Sequence, residues 1–193
     1  MRTFIKPFIA SAVLAVASMG SAMAATELVD NGSFEAQSLA DGSSLADVVT
    51  AWNLTGDSRL INPLAGSPQP APAVIDGNNY LRLLEGSSLS QTLSLDLGQQ
   101  YSLSFNYFLK PTFAAQVSVN GQSFNLTDAQ GSFSQTFSAA AVSTLLTFAA
   151  TTGNLQLDGV SVTAVPEPAA AALLLAGLGL LAARRRQRGE TQA

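Results

Sequence analysis

Between Ala25 and Pro168 the side chains able to carry ionic or acid–base chemistry are almost all carboxylates: Glu27, Asp30, Glu35, Asp41, Asp47, Asp57, Asp76, Glu85, Asp96, Asp128, Asp158 and Glu167. The chain has no His and no Cys. That excludes Ser-His-Asp and Cys-His nucleophilic sites and the common zinc sites. Carboxylates alone can hold a hard cation such as Ca²⁺. As a pair standing about 5 to 9 Å apart in a cleft, they can also hydrolyse a glycosidic bond. No linear spacing among these acids brings two together across a cleft, so a non-catalytic role is the expectation and a carboxylate-dependent glycosidase the remote alternative.

The remaining chemistry-bearing groups are aromatic. Sugar binding needs an exposed ring flanked by polar side chains. Trp52 is the only Trp, and it is either such a platform or a core residue. Phe108 shares the Ser/Asn parity of its segment, so it either faces solvent or meets a covering layer; with Phe113 beyond Lys110-Pro111 it could form an exposed patch. Tyr80 and Tyr107 fall on apolar parity and are expected in the core.

The only cations from Ala25 to Pro168 are Arg59, Arg82 and Lys110; three against twelve acids gives a formal −9, where the whole chain carries −4. A surface of that sign repels nucleic acid and anionic lipid. Without disulfides, a segment of this size must rely on one hydrophobic core, with or without help from a metal.

The elements that must position these groups are strands. Leu103, Phe105, Tyr107 and Leu109 alternate with Ser102, Ser104, Asn106 and Phe108, a period of two. Leu89, Leu93, Leu95 and Leu97 repeat the pattern upstream, and Asn120-Gly121 after Val117 and Val119 reads as a tight hairpin turn. Further short strands hold Phe133 and Phe137, then Leu146 and Phe148. The last strand runs through Leu155, Leu157, Val160 and Val162. Its apolar parity shifts at Gly159, which predicts a bulge. Residues 36–51 could hold a helical turn or two, and the Pro-rich stretch 63–72 is a loop. Short strands between Gly, Asn and Asp predict an all-β, antiparallel sandwich over 25–164.

Both ends differ from this middle. Arg2 and Lys6 precede an apolar stretch, and Ala22-Met23-Ala24 offers the small-x-small pattern of secretory signal cleavage, assigning 1–24 to a signal peptide. An uncleaved anchor is the alternative. At the other end, Val165-Pro166-Glu167-Pro168 stops the strand. A run of Ala, Leu and Gly over 169–183 follows, then Arg184, Arg185, Arg186 and Arg188. As a helix that run is roughly 22 Å long, short of the roughly 30 Å hydrocarbon core. Snorkelling arginines make up the difference. The basic end predicts a cytoplasmic C-terminus with the large segment outside. A buried core helix is the competing reading, but it has no need of four arginines beyond it.

The tail from Val165 to about Arg188 resembles the PEP-CTERM sorting domain of Gram-negative bacteria in all three parts: motif, helix and basic end. The resemblance implies recognition by an exosortase, with Pro166, Glu167 and Pro168 as the processing motif. It also implies export through the secretion machinery and a transient stay in the inner membrane with the main domain in the periplasm. Delivery to the cell surface or an exopolysaccharide matrix would follow. The middle resembles carbohydrate-binding-module-like jelly rolls of the galactose-binding type. The residues that carry this are Leu28-Val29-Asp30-Asn31-Gly32-Ser33-Phe34-Glu35, Trp52, Asp76-Gly77-Asn78-Asn79-Tyr80-Leu81, Leu89-Ser90-Gln91-Thr92-Leu93, Gly98-Gln99-Gln100-Tyr101 and Leu157-Asp158-Gly159-Val160-Ser161-Val162. Many relatives have Asn where Gly159 stands. By that resemblance a structural Ca²⁺ would join the opening and closing strands, with Glu35 and Asp158 as side-chain ligands and a backbone oxygen near Gly32. The alternative is a solvated Glu and a turn Asp.

Overall fold

A computed structural model describes residues 26–64, 76–127, 130–166 and 177–179. The signal segment 1–24 with Ala22 and Ala24, Glu167 and Pro168, most of the apolar run and Arg184, Arg185, Arg186 and Arg188 lie outside the described residues. Residues 177–179 are helical, and no helix among the described residues is long and apolar enough to cross a membrane.

Residues 25–167 form one compact unit, and its described residues hold eleven strands. They are β1 (Ser44–Ala46), β2 (Asn53–Thr55), β3 (Ser58–Ile61), β4 (Tyr80–Leu83), β5 (Ser88–Ser94), β6 (Gln100–Phe108), β7 (Ala114–Val119), β8 (Gln122–Leu126), β9 (Gln130–Ser138), β10 (Ser143–Thr152) and β11 (Leu155–Ala164). One sheet has the order β1-β3-β4-β11-β6-β9 and the other β2-β5-β10-β7-β8. Every pairing is antiparallel. From β4 to β11 the chain crosses between sheets so that β4-β11-β6-β9 faces β5-β10-β7-β8. That is the connectivity of an eight-stranded jelly roll; β1, β2 and β3 extend its edges.

The period-two segments bury as alternation requires. Leu103, Phe105 and Tyr107 on β6, Leu157, Val160 and Val162 on β11, and Leu146 and Phe148 on β10 all join the core. Leu97 departs from the pattern and is 69% exposed, because β5 has ended at Ser94 and the chain turns at Gly98. Asn120 and Gly121 take φ 53° and 74° between β7 and β8, the two left-handed residues of a type I′ hairpin. On β11, Asp158 faces Asn106 and Ser161 faces Ser104, so Gly159 and Val160 together oppose Phe105. This bulge lets Leu157 and Val160 both point inward.

One expectation is corrected. Residues 36–51 hold no helical turn: Ser44–Ala46 pairs with β3 as a strand, and Gly42, Asp47 and Ala51 take positive φ, which breaks helical continuation. Tyr80 is buried at 3% exposure, as expected, although it stands apart from the main core cluster. Leu81 occupies the inward position beside it, and the Tyr80 hydroxyl accepts a hydrogen bond from Arg82 Nη2 at 3.1 Å on the other face.

Candidate functional site

The opening turn is strained. Asn31 and Phe34 have φ of 52° and 59°, a conformation that is unusual for a bulky residue. Several contacts impose it. Asn31 Oδ1 accepts from the Ala36 amide at 3.0 Å, and Asn31 Nδ2 donates to Thr50 O at 2.9 Å. The Phe34 ring is fully buried, 6.0 Å from Trp52. With Phe34 turned inward, the next residue, Glu35, reaches the loop before β4. Glu35 Oε1 accepts from the Asn78 and Asn79 amides at 2.7 and 2.5 Å, and Oε2 accepts from Asn79 Nδ2 at 3.2 Å. Gly77 makes this approach possible: at φ 90°, a Cβ there would stand 2.5 Å from the Glu35 carboxyl carbon.

Asp158 reaches the same loop from the closing strand. Its Oδ2 accepts from the Asp76 amide at 3.1 Å and its Oδ1 from the Gly159 amide at 2.7 Å. The two acids singled out from sequence therefore converge on residues 76–79. Gly32, named as the backbone donor, gives its carbonyl to the Val160 amide at 2.9 Å. The oxygens here are hard donors suited to Ca²⁺. One more was not anticipated: Asn79 Oδ1 is buried and has no hydrogen-bond partner, although its amide nitrogen donates to Phe34 O, Glu35 Oε2 and Gln37 O. Among the described residues no three Asp, Glu, His or Cys side chains cluster as a metal site, so a cation here would lean on carbonyl oxygens. For glycosidase chemistry the pair is poorly placed: Asp158 is 0% exposed, and a carboxyl with no surface cannot protonate a glycosidic oxygen.

Trp52 is not a sugar platform. It packs between Phe34 and Phe148, with ring centroids at 6.0 and 6.1 Å, and its Nε1 donates to Asn31 O at 3.2 Å. A ring that large satisfies its polar edge locally and contributes more by burial. Phe113 also leaves the surface: it packs against the core and covers Gly153, where a Cβ would stand 2.3 Å from its ring. Phe108 keeps its outward position on β6, half-buried, while Tyr107 and Leu109 on either side are core.

The cross-strand register shows what shares a face with Phe108. It pairs with Gln156, Gln156 pairs with Arg82, and Arg82 pairs with Arg59. Paired residues point to the same side of a sheet, so these four share the outer face of the six-stranded sheet; Arg59 is exposed, Arg82 and Phe108 are half-buried, and Gln156 is buried. Sequence reading missed this row because the partners come from four separate strands.

The end of β11 is pinned. The Val165 amide donates to Gln100 O and Gln99 Nε2 donates to Val165 O, both at 2.8 Å. The next residue, Pro166, is exposed. Residues 164–188 match the PEP-CTERM protein-sorting motif, so the folded domain runs directly into the sorting motif. Residues 27–128 match the protein family of unknown function DUF642, which has the galactose-binding-like fold.

The chain belongs to the DUF642 family.

The DUF642 domain is similar in fold to part of the enzymatically active domain of bacteriophage CBA120 tailspike protein 4. The TM-score is 0.52 at 14% identity, covering 72% of this chain and 21% of that one. A carbohydrate-binding module, TmCBM61, solved with β-1,4-galactotriose, matches at TM-score 0.49 and 15% identity over 72% of this chain and 99% of that one. A family 35 carbohydrate-binding module from Clostridium thermocellum matches at 0.42 and 14% over 62% and 97%. At these identities the likeness is one of fold. No curated protein matches the sequence.

Proposed function

We propose that this chain is an exported, non-catalytic protein of the cell surface or exopolysaccharide matrix, handed to an exosortase by its tail. One observation carries this reading: the PEP-CTERM motif starts where β11 ends, with Val165 tied to Gln99 and Gln100 and Pro166 exposed. A processing enzyme needs its motif accessible and the cargo folded beside it. In this reading the signal peptide is removed near Ala24, and the apolar tail holds the precursor in the inner membrane of a Gram-negative cell until cleavage near Pro166-Glu167-Pro168. Intact-mass spectrometry of the protein from its host tests the proposal. The expected mature species begins near Ala25 and lacks Arg184 to Arg188; a mature species that keeps the whole tail would instead indicate a permanent anchor.

A second reading, glycan binding by the sandwich, is favoured by Phe108, a half-buried ring at an outward position of β6. A partly exposed ring beside polar side chains suits a sugar.

We further propose a structural Ca²⁺ held by Glu35, Asp158 and the Asn79 amide oxygen, bridging the first turn and the last strand. The unpartnered Asn79 Oδ1 supports it, and Glu35 Oε2, which accepts from Asn79 Nδ2, retains a lone pair for a cation. Binding at a hundred times Kd would add about 2.7 kcal/mol, or roughly 8 °C in Tm for a domain of this size. Calorimetry with calcium and with chelator is the check, with the increment expected to vanish in Glu35→Gln; superimposable traces would overturn the metal.

A further inference from the structure

Leu97 and Val142 are the two most exposed large apolar side chains among the described residues, at 69% and 68%. They stand on neighbouring loops at one end of the sandwich. The Leu95 amide donates to Val142 O and the Gly98 amide to Ala139 O, each at 2.9 Å. Asn120 of the β7–β8 hairpin joins the same loops: its Nδ2 donates to Ser138 O at 2.8 Å, and its Oδ1 accepts from the Ala140 amide at 3.1 Å. Ala140 and Ala141 are exposed beside Val142, and Leu145, also exposed, continues the apolar surface along β10. Across residues 95–99, 120–122 and 138–143 the single charged side chain is Asp96. Glu27, beside the end of β11, engages its carboxylate with the amides of Leu28, Val29 and Val162 and the Ser161 hydroxyl. In a stretch with twelve acids this end is apolar and nearly neutral.

The chain leaves the domain at this same end. Gln99 O accepts from the Ala139 amide at 2.9 Å, Gln99 Nε2 donates to Val165 O at 2.8 Å, and Pro166 is exposed. The apolar run begins three residues on, at Ala169, and three residues reach at most about 11 Å. We propose that this end of the sandwich docks on the bilayer that takes the tail, with Leu97 and Val142 entering the headgroup boundary. The proposal rests on the membrane-held precursor described above and gives its folded domain an orientation. Apolar side chains bind such a boundary in proportion to the area they bury, and two tips are too few to hold a free protein there. A tether of a few residues raises the effective concentration to the order of millimolar, at which so weak a contact is populated. Charge points the same way: docking by the nearly neutral end keeps the remaining carboxylates away from an anionic lipid surface. Cleavage at the sorting motif removes the tether, so the contact lapses and the domain is released.

The test uses the full chain reconstituted into phosphatidylcholine vesicles. The chain has no Cys, so Ala141→Cys places one polarity-sensitive fluorophore beside Val142, and Lys110→Cys places one beyond the far end of β6. Vesicles containing phosphatidylcholine with a nitroxide high on the acyl chain then report contact as quenching. The Ala141→Cys label is expected to emit at shorter wavelength than in detergent-free buffer after tail cleavage and to lose most of its emission to the nitroxide. The Lys110→Cys label is expected to do neither. Leu97→Asp or Val142→Asp, added to Ala141→Cys, is expected to restore the emission at unchanged Tm, because both side chains are exposed. Undiminished quenching in both aspartate variants overturns the docking, since it shows nearness imposed by the tether alone. Equal quenching of the two labels, or quenching of neither in vesicles that carry the chain on flotation, also overturns it and leaves the anchored precursor standing. A chain that fails to float with the vesicles overturns the anchored precursor and the docking together.

Discussion

Replacing Gly32 by alanine is expected to destabilise the domain by on the order of 3 kcal/mol or more, lowering Tm by roughly 10 °C. A Cβ at Gly32 would stand 1.9 Å from the Val160 carbonyl oxygen and 3.2 Å from Val29 Cγ1. The obstruction is backbone, and it cannot swing aside. Val160 is tied to Gly32 by its own amide at 2.9 Å, and it sits in the bulge that orients Asp158 and Gly159. Relief would require separating the first turn from the closing strand, which also disturbs the loop 76–79 that Glu35 and Asp158 both hold. Gly131 provides the contrast: it lies on β9, and the atoms nearest a Cβ there belong to Tyr107, the first at 3.5 Å, an ordinary contact. Gly131→Ala should be neutral or mildly stabilising, because alanine loses less backbone entropy in a strand. Thermal denaturation of both variants separates the two cases. A Gly32→Ala protein melting with the parent would mean that the opening turn sits farther from β11 than the geometry here requires.

Gln91→Leu is expected to cost about 2 to 3 kcal/mol, although the side chains are close in volume. Gln91 occupies an inward position of β5 between Leu89 and Leu93 and is buried. Its amide is fully used: Oε1 accepts from the Asp30 amide at 2.9 Å, and Nε2 donates to Asp30 O at 2.9 Å and Ala51 O at 3.0 Å. Leucine would leave these three backbone groups without protein partners, each at about 1 to 3 kcal/mol if water cannot reach them, offset in part by the apolar burial gained. Both partner segments frame Trp52, whose Nε1 bonds Asn31 O. As the only tryptophan, it should report their release as a red shift in emission. Unchanged emission and Tm in Gln91→Leu would show that the core tolerates these segments unpinned.

The strands were readable because one face of each is buried, and burial writes a period of two into the side chains. That is why β5, β6, the Asn120-Gly121 hairpin and the Gly159 bulge all appear from residue order alone. The 36–51 segment was not readable, because its conformation is set by partners distant in sequence: Asn62 Nδ2 on Leu39 O, Asn31 Nδ2 on Thr50 O and the pairing of β1 with β3. Alanine and leucine there favour helix only when no such partner competes.

The candidate sites divide in the same way. That Glu35 and Asp158 belong together could be inferred from resemblance, because the motifs around them open and close the domain. Their shared attachment to residues 76–79, the orphaned Asn79 oxygen and the burial of Trp52 follow only from packing. The sequence by itself determined the composition of what is chemically available: carboxylates, amides, a few aromatics, three cations, and a tail marked for sorting. Tertiary structure alone decided which of these meet. Arg59 and Arg82 are separated by a proline-rich segment, and Phe108 and Gln156 lie farther along still. Only the hydrogen-bonded register of β3, β4, β11 and β6 sets them in one row, because strand pairing fixes neighbours across a sheet regardless of their distance along the chain.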